Sequence, residues 1–505
     1  MQEAKHPSTH HVTASEDRIP VFQKAIYSIG GLVNNIQAAA LGSMAIILNL
    51  GLGVNPALVG LMGMIPRLFD AISDPATGYF SDNIRTRWGR RRPVILFGSI
   101  IGSIFFVIMF QLYKGHSESY YFWYFTIFQC LFFLGFTCFS IPWIALGYEM
   151  TPDYHERTRL QGASNFVAQF AWVIAPWFFK IMDNKSMFTD IVHGGRTLAL
   201  WVGAFILIGG MLPAIFIKER FGNIPKPKRG KGVWNITKDF FKGFAVTFKN
   251  RPFVKLCAAT FLIFNGFMLA SAFSAYVIFF YVYGGDYGKG GTLLGWFGTI
   301  TSICTFCAIF ITTWLSTKIG KRTTFLITIS ISIVGYALKW VGYNPSHPYL
   351  LLIAAPFIAF GLGSLFTVVS SMVADVCDLD ELETGTRREG MFGAVYWWMV
   401  KLGLAISSLI SGLLLNASGF NVALGANQTA RALLNMRLFD IGIPIITSSI
   451  AIFIIMTFDI SENKAYEIRG RVERRREERR KDEEDREEER RQIERRQEER
   501  RNEEK

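Results

Sequence analysis

The sequence predicts an all-α polytopic membrane protein, with twelve transmembrane helices in two pseudo-symmetric six-helix bundles. Three observations lead there. Half of the 505 residues are hydrophobic and 45 are Phe, gathered in long uncharged blocks rather than the short runs of soluble domains. The blocks divide six and six around one lysine-rich break. Charged motifs also recur after corresponding blocks of the two halves, as expected of a chain built from two copies of one helical unit.

A spanning helix needs about 20 mainly apolar residues to cross a hydrocarbon core about 30 Å thick. Residues 1–23 are polar with no apolar h-region, so they read as a cytoplasmic tail without a cleavable signal. The runs 24–52, 57–80, 93–113, 120–147, 159–182 and 197–217 then form an N-terminal bundle over 24–217. Residues 218–252 are Pro/Gly-broken and lysine-rich and form a central loop. The runs 253–283, 292–316, 323–343, 349–374, 391–416 and 438–460 form a C-terminal bundle over 253–460. GGDYGKGG at 284–291 reads as a flexible connection. In the tail, 461–505, nearly every residue from Arg469 on is Arg or Glu. Pairs such as Asp482→Arg486 fall at i,i+4, which predicts a solvated single helix without an apolar seam.

The net charge is +13, but the 17 Lys+Arg and 17 Asp+Glu from Glu462 onward cancel, so the excess lies in the membrane body. One set of loops holds Arg85, Arg87, Arg90, Arg91, Arg92, Arg157, Arg159, the central loop, Lys318, Lys321 and Arg322. The opposite set holds only Lys114, Lys185, Arg196, Lys289 and Arg431. This asymmetry places both termini and the central loop in the cytoplasm and fits a multi-pass protein of the cell membrane. It does not fit nucleic-acid binding. The six cysteines sit in or beside apolar runs and read as packing residues, with no disulfide or metal framework. All seven histidines lie outside the apolar runs, so carboxylates must handle any ion or proton there.

The repeated motifs are Asp82 to Arg92 after the second helix and Lys318 to Arg322 after the eighth. A second pair is Glu149 to Arg157 after the fourth helix and Asp375 to Glu389 after the tenth. Within the second apolar run stand Arg67, Asp70 and Asp74. A charge at mid-bilayer depth costs about 2.5–3.5 kcal/mol on insertion scales, so three in one helix mark a functional pathway. Asp70 and Asp74 are one turn apart on one face. Two acids against one base leave a site that binds a cation or takes up a proton. Lys401, the only cation in the eleventh run, is their natural counter-charge, with a snorkelling lysine as the structural alternative.

Polar residues mark other inward faces: Asn34, Asn35 and Gln37 in the first helix, Thr137, Ser140 and Trp143 in the fourth, and Gln161, Asn165, Gln169 and Trp172 in the fifth. Amides, hydroxyls and indoles suit a neutral polyhydroxylated ligand, although each could instead be an interhelical hydrogen bond. Trp397 and Trp398 join the candidate substrate residues. No G-x-x-x-x-G-K-[ST] occurs, so there is no sign of ATP use or enzyme chemistry, and no cofactor is expected.

The motif R-x-x-D-A-x-x-D-P-x-x-G with the loop R-x-R-W-G-R-R-R-P resembles the glycoside–pentoside–hexuronide:cation symporters. MVADVCDLDELETGTRREG followed by Lys401 is similar to that family's tenth-to-eleventh helix region. The resemblance spans roughly 24–460 and implies a major-facilitator fold with alternating access. It implies uptake of a sugar or glycoside coupled to Na⁺ or H⁺ by a monomeric carrier in the bilayer. By position Asp70, Asp74 and Thr137 match the family's cation site, and Lys401 its eleventh-helix lysine. Where the melibiose-carrier type has a Lys-Asp pair, this chain has Asn34-Asn35. Ser140 and Asn165 replace an acid and an arginine, so the ion half is kept and the charged sugar half is neutral.

Arg67, Asp82, Arg90, Arg91, Asp375, Arg387 and Glu389 form the expected gating set, with the arginine loop latching onto acids of the second half. A carrier of a lipid-like solute and a transport-inactive sensor signalling through the tail are the alternative readings.

Overall fold

The computed structural model describes residues 17–84, 86–219, 243–244, 246–385, 388–460 and 462–503. Most of the central loop, Arg387 and the Asp82 side chain lie outside the described residues. Among the described residues, twelve helices are long and apolar enough to span a membrane. The first six are α1 (Val21–Leu50), α2 (Pro56–Asn83), α3 (Arg92–Phe110), α4 (Glu118–Glu149), α5 (Glu156–Met182) and α6 (Ile191–Phe216). The second six are α7 (Arg251–Val282), α8 (Tyr287–Ile319), α9 (Lys321–Gly342), α10 (Pro348–Thr384), α11 (Glu389–Ala417) and α12 (Ala430–Met456). A charged helix, α13 (Glu462–Glu503), follows.

The packing repeats between halves. α1 lies against α5 and α6, α3 against α4 and α6, and α2 against α4. In the same way α7 lies against α11 and α12, α9 against α10 and α12, and α8 against α10. Each half is thus one copy of the same six-helix unit, and α2 packed on α11 is the main seam between them.

Several helices start earlier than apolar content alone predicts. α6 begins at Ile191 rather than 197, and α12 at Ala430 rather than 438. The charged residues there are stacked on rings: Arg196 lies 4.1 Å from the Tyr113 ring, and Arg437 lies 4.1 and 4.2 Å from Tyr281 and Trp340. Asp190 caps α6 by accepting from the His193 amide. The Lys114 hydrogen bond, at 2.8 Å, and that amide hold the Asp190 carboxyl below its ordinary range.

The glycine-rich stretch 284–291 is not the flexible connection expected. Asp286 caps α8 through the Lys289 amide, and a side chain at Gly290 or Gly291 would meet Phe279 or Phe179. The glycines serve close helix contact. The tail is the single helix expected, but its start is not solvated, because Ile468 and Val472 are buried against the C-terminal bundle. Arg476 pairs with Glu381 at 2.5 Å and Arg475 donates to the Leu382 carbonyl at 2.8 Å. Two apolar residues one turn apart are too few to register as a seam, yet enough to dock the start of the helix.

The bonds that join the bundles concentrate at the end away from the arginine loop. There Tyr276 donates to Asn49 (3.1 Å), Trp177 to Thr299 (2.9 Å) and Lys180 to the Gly288 carbonyl (2.9 Å). Phe179 stacks on Phe279 with centroids 4.3 Å apart. One buried apolar cluster runs from the N-terminal bundle into the far ends of α7, α8, α11 and α12, whereas the other end of the C-terminal bundle has its own cluster. The molecule is therefore closed at the far end.

Glycines allow that closure. A Cβ on Gly412 would lie 2.3 Å from the Pro56 carbonyl oxygen, and one on Gly60 would lie 2.7 Å from that of Ser408. Gly412→Leu is expected to destabilise the closed far end by about 1–3 kcal/mol, as overpacking does. That amounts to a shift of about 5–150-fold in its equilibrium with the open form. Crosslinking between α2 and α11 would measure the change, and undiminished crosslinking would refute it.

Candidate functional site: a shared charge cluster between the bundles

α2 begins with Asn55 accepting from the Ala57 amide and Pro56 at its first position, a favourable helix start. The helix carries Asp70 and Asp74, one turn apart, to the middle of the seam with α11. Lys401 projects from α11 between them. Its ammonium donates to Asp70 Oδ2 at 2.9 Å and also pairs with Asp74 Oδ2. Thr137 of α4 donates to Asp70 Oδ1 at 2.6 Å, with Asp74 Oδ1 3.4 Å from the same hydroxyl. One lysine of the C-terminal bundle is thus held by two carboxylates of the N-terminal bundle, and the hydroxyl steadies the acids.

The two acids are not equivalent. The Asp70 side chain is 6% exposed, against 27% for Asp74 and 29% for Lys401. One ammonium against two carboxylates leaves a formal charge of −1 if all three are ionised. In a low-dielectric setting that deficit favours an added cation or proton. The oxygens of Asp70, Asp74 and Thr137 are the donor set a hard cation prefers.

Arg67 makes no ion pair in this cluster, although its charge still acts on Asp70. Its guanidinium lies 5.7 Å from the Phe133 ring centroid, and no carboxylate among the described residues is within ion-pair distance. The sequence spacing put it on roughly the same face, but its long side chain turns to the α4 aromatic.

The amide set is only partly assembled. Asn35 accepts from the Trp172 indole at 3.0 Å and donates to the Gly31 carbonyl at 3.0 Å. Asn34 Oδ1 is buried without a partner among the described residues. Asn165 is exposed, Gln169 and Ser140 are half-buried, and Gln161 reaches the Tyr27 hydroxyl at 3.3 Å. Trp143 is no ligand-facing residue. Its ring stacks on Tyr27 at 4.8 Å, its indole donates to the Tyr27 carbonyl, and a Cβ on Gly30 would collide with it. It fills the contact between α1 and α4. Trp397 is 54% exposed and stacks on Phe366 of α10. Trp398 packs edge-on against Phe244 of the segment leading into α7.

Arg90, Arg91 and Asp375 each have a partner within their own bundle in this conformation, where pairing across the seam was expected. Arg90 pairs with Glu149, as does Arg91 at 2.6 Å. The backbone amides of Arg90, Arg91 and Arg92 all donate to Glu219 at 2.8 Å. Gly89 adopts φ +111°, and a side chain there would overlap the Glu219 carboxylate. Asp375 pairs with Lys321 at 2.7 Å. Glu389 begins α11. With the molecule closed at the far end, the arginine-bearing ends need not meet, so the charges find local partners.

Sequence reasoning missed Glu219, a lone acid beside a lysine-rich loop. It also missed Lys339 and Asp440, which pair at 2.6 Å with side chains 1% and 0% exposed. The rule that found Asp70 applies to both. They went unmarked because each stood near the end of its apolar run, where a charge can reach water.

A central ion cluster shared by two symmetric helical bundles defines the class: this is a secondary transporter, not an enzyme. The chain belongs to the family described as MFS/sugar transport protein, whose model matches residues 26–462. It is 26% identical over 459 residues to a glucuronide carrier protein homolog of Escherichia coli (strain K12), covering 89% of this chain and 94% of that one. It is 24% identical to the isoprimeverose transporter of Lactiplantibacillus pentosus, covering 85% and 87%. A sodium-dependent lysophosphatidylcholine symporter 1 of Xenopus tropicalis is 22% identical, covering 89% of each chain. Among solved structures, an inward-facing bacterial homolog of the human lysosomal transporter Spinster superposes with a TM-score of 0.64 at 15% identity, covering 86% of this chain and 97% of that one. A D-xylose–proton symporter superposes with a TM-score of 0.58 at 15% identity, covering 88% and 99%. The major-facilitator fold is thereby shown.

Proposed function

We propose that this protein is a symporter that couples uptake of a sugar or glycoside to a Na⁺ or H⁺ gradient across the cell membrane. It works as a monomer with both termini and the central loop in the cytoplasm. The observation that carries this reading is Lys401 of one bundle held by Asp70 and Asp74 of the other. In the absence of the coupling ion the ammonium offsets one of the two negative charges. A cation arriving at the Asp70, Asp74 and Thr137 oxygens competes with it, so ion occupancy alters a contact between the two bundles. Substrate held between the bundles feels the same contact, and the two affinities become linked reciprocally. Asn35 with Trp172, Asn34, Ser140, Asn165, Gln169 and Trp397 offer neutral hydrogen-bonding and stacking groups for a polyhydroxylated solute. Asp82, Arg90, Arg91, Asp375, Arg387 and Glu389 close the cytoplasmic end when the bundles rock the other way.

A second reading on the same fold is an amphiphile carrier. Phe166, Phe170 and Phe310 are about half exposed along α5 and α8, and Phe166 meets Phe306 across the seam at 5.8 Å. The lysophosphatidylcholine symporters among its relatives favour the same reading.

One experiment separates the two. Vesicles carrying the purified protein are offered glycosides, glucuronides and lysophospholipids under an imposed Na⁺ or H⁺ gradient. Concentrative uptake of a glycoside under one gradient establishes the first reading. Gradient-driven accumulation of the lysophospholipid alone establishes the second.

A further inference from the structure

The C-terminal bundle holds a second ion pair, far more deeply buried than the central one. Lys339 of α9 donates to Asp440 of α12 at 2.7 Å and to Ser274 of α7 at 2.8 Å. Tyr343 donates to the other Asp440 oxygen at 2.7 Å. Ser274 Oγ lies 2.9 Å from Asp440 Oδ1 and 2.7 Å from the Ala270 carbonyl, to one of which it donates. Three helices meet in one saturated network. A buried ion pair contributes little net stability, its desolvation offsetting its attraction. Such a pair better explains where helices are held than how strongly the bundle folds.

What adjoins the network suggests what is held. Directly beyond Ser274, α7 leaves α-helical geometry and runs as a π-helix over Val277–Val282, a form found mostly as short functional bulges. Beyond Asp440, α12 contains Pro444, which removes the amide that would bond the Asp440 carbonyl. α7 is thus locally weakened on the far side of the network, whereas the break at Pro444 lies on its other side, against Gly266 of α7. The segment between Ser274 and Tyr283 also carries the contacts that close the far end. Tyr276 donates to Asn49 of α1, and Phe279 stacks on Phe179 of α5. Asn49 is itself 0% exposed and locked to the Val54 carbonyl at 2.8 Å.

We propose that Lys339, Asp440, Tyr343 and Ser274 form the fixed pivot of the outer gate. They clamp α7 at Ser274 so that its π-helical end can swing against α1 and α5 while the rest of the bundle stays rigid. They are positioning residues, and Ser274 is the link through which the clamp acts on α7. This inference rests on alternating access, but not on the identity of solute or coupling ion.

Removing either charge alone leaves its partner buried and unpaired, so Lys339→Met and Asp440→Asn can fail by misfolding. Ser274→Ala cuts only the link and keeps the ion pair. The test is hydrogen–deuterium exchange on the full chain in detergent micelles, without solute or gradient, with Tyr276→Phe as the gate-opening control. Ser274→Ala is expected to raise exchange about fivefold in peptides covering 276–286 and 45–54, the effect of one lost buried hydrogen bond on a two-state gate. Peptides from α9, α10 and the lower part of α12 should stay unchanged, and the melting temperature should match wild type. Unchanged exchange in the gate peptides overturns the pivot. So does a rise spread evenly through α7, α9 and α12, which would make the network a general staple. Because no transport is measured, failure here is distinct from failure of the symport reading.

Discussion

Asp70→Asn is expected to abolish gradient-driven accumulation while leaving solute exchange measurable. Asp70 is the more buried acid, and each of its oxygens has a partner: Thr137 on Oδ1 and Lys401 on Oδ2. An amide there presents either a donor to the Lys401 ammonium or a single oxygen to an arriving cation. It also loses the negative charge that attracts an ion or carries a proton. Coupling then disappears even where the bundles still rock. Each tenfold of imposed gradient is worth about 1.4 kcal/mol, enough for about tenfold accumulation at one ion per solute. Asp70→Asn should bring that ratio to one. Asp74, with 27% of its side chain exposed, should tolerate the same change with a smaller loss. The measurement is concentrative uptake beside counterflow in the same vesicles. Wild-type accumulation by Asp70→Asn would remove the carboxylate pair from the coupling site.

Lys401→Met carries the second large effect, with the opposite signature. It strips the counter-charge from two acids 6% and 27% exposed. Breaking a buried pair by removing one partner costs about 3–5 kcal/mol, and the 29% exposure of Lys401 places this case toward the lower end. The apo protein should therefore melt earlier than wild type. A cation that binds Asp70 and Asp74 should stabilise the mutant more than wild type, because it no longer competes with the ammonium. Thermal melts in Na⁺, in K⁺ and across pH read this directly. A rise with Na⁺ names sodium as the coupling ion, and a rise confined to acid pH names the proton. Equal melting of mutant and wild type in every condition would show that Lys401 is not the counter-ion.

Much of this was legible before any coordinates. The helical spacing of Asp70 and Asp74, and a single lysine stranded in the eleventh apolar run, were enough to bring the three together. A charge in hydrocarbon has few places to go, and opposite charges there find each other. Other residues were misread because spacing says nothing about what lies opposite. Trp143 shares a stripe with Ser140, yet Tyr27 and Gly30 make it a packing residue. Arg67 stands near the acids in sequence, yet turns to Phe133. The arginine loop was read as facing the other bundle, yet this conformation gives it Glu149 and Glu219.

The sequence by itself determined that the chain spans the membrane twelve times, that it does so in two equivalent halves, and that one helix carries two carboxylates on one face. Each is dictated by hydropathy and charge, which act along the chain. Only the tertiary structure decided which end is closed, which amides meet, and that Lys339 and Asp440 are sealed inside the C-terminal bundle. Those depend on the approach of helices far apart in sequence. At Gly60, Gly412 and Asn49, an approach of a few ångströms decides the outcome, and one sequence read in order does not encode that distance.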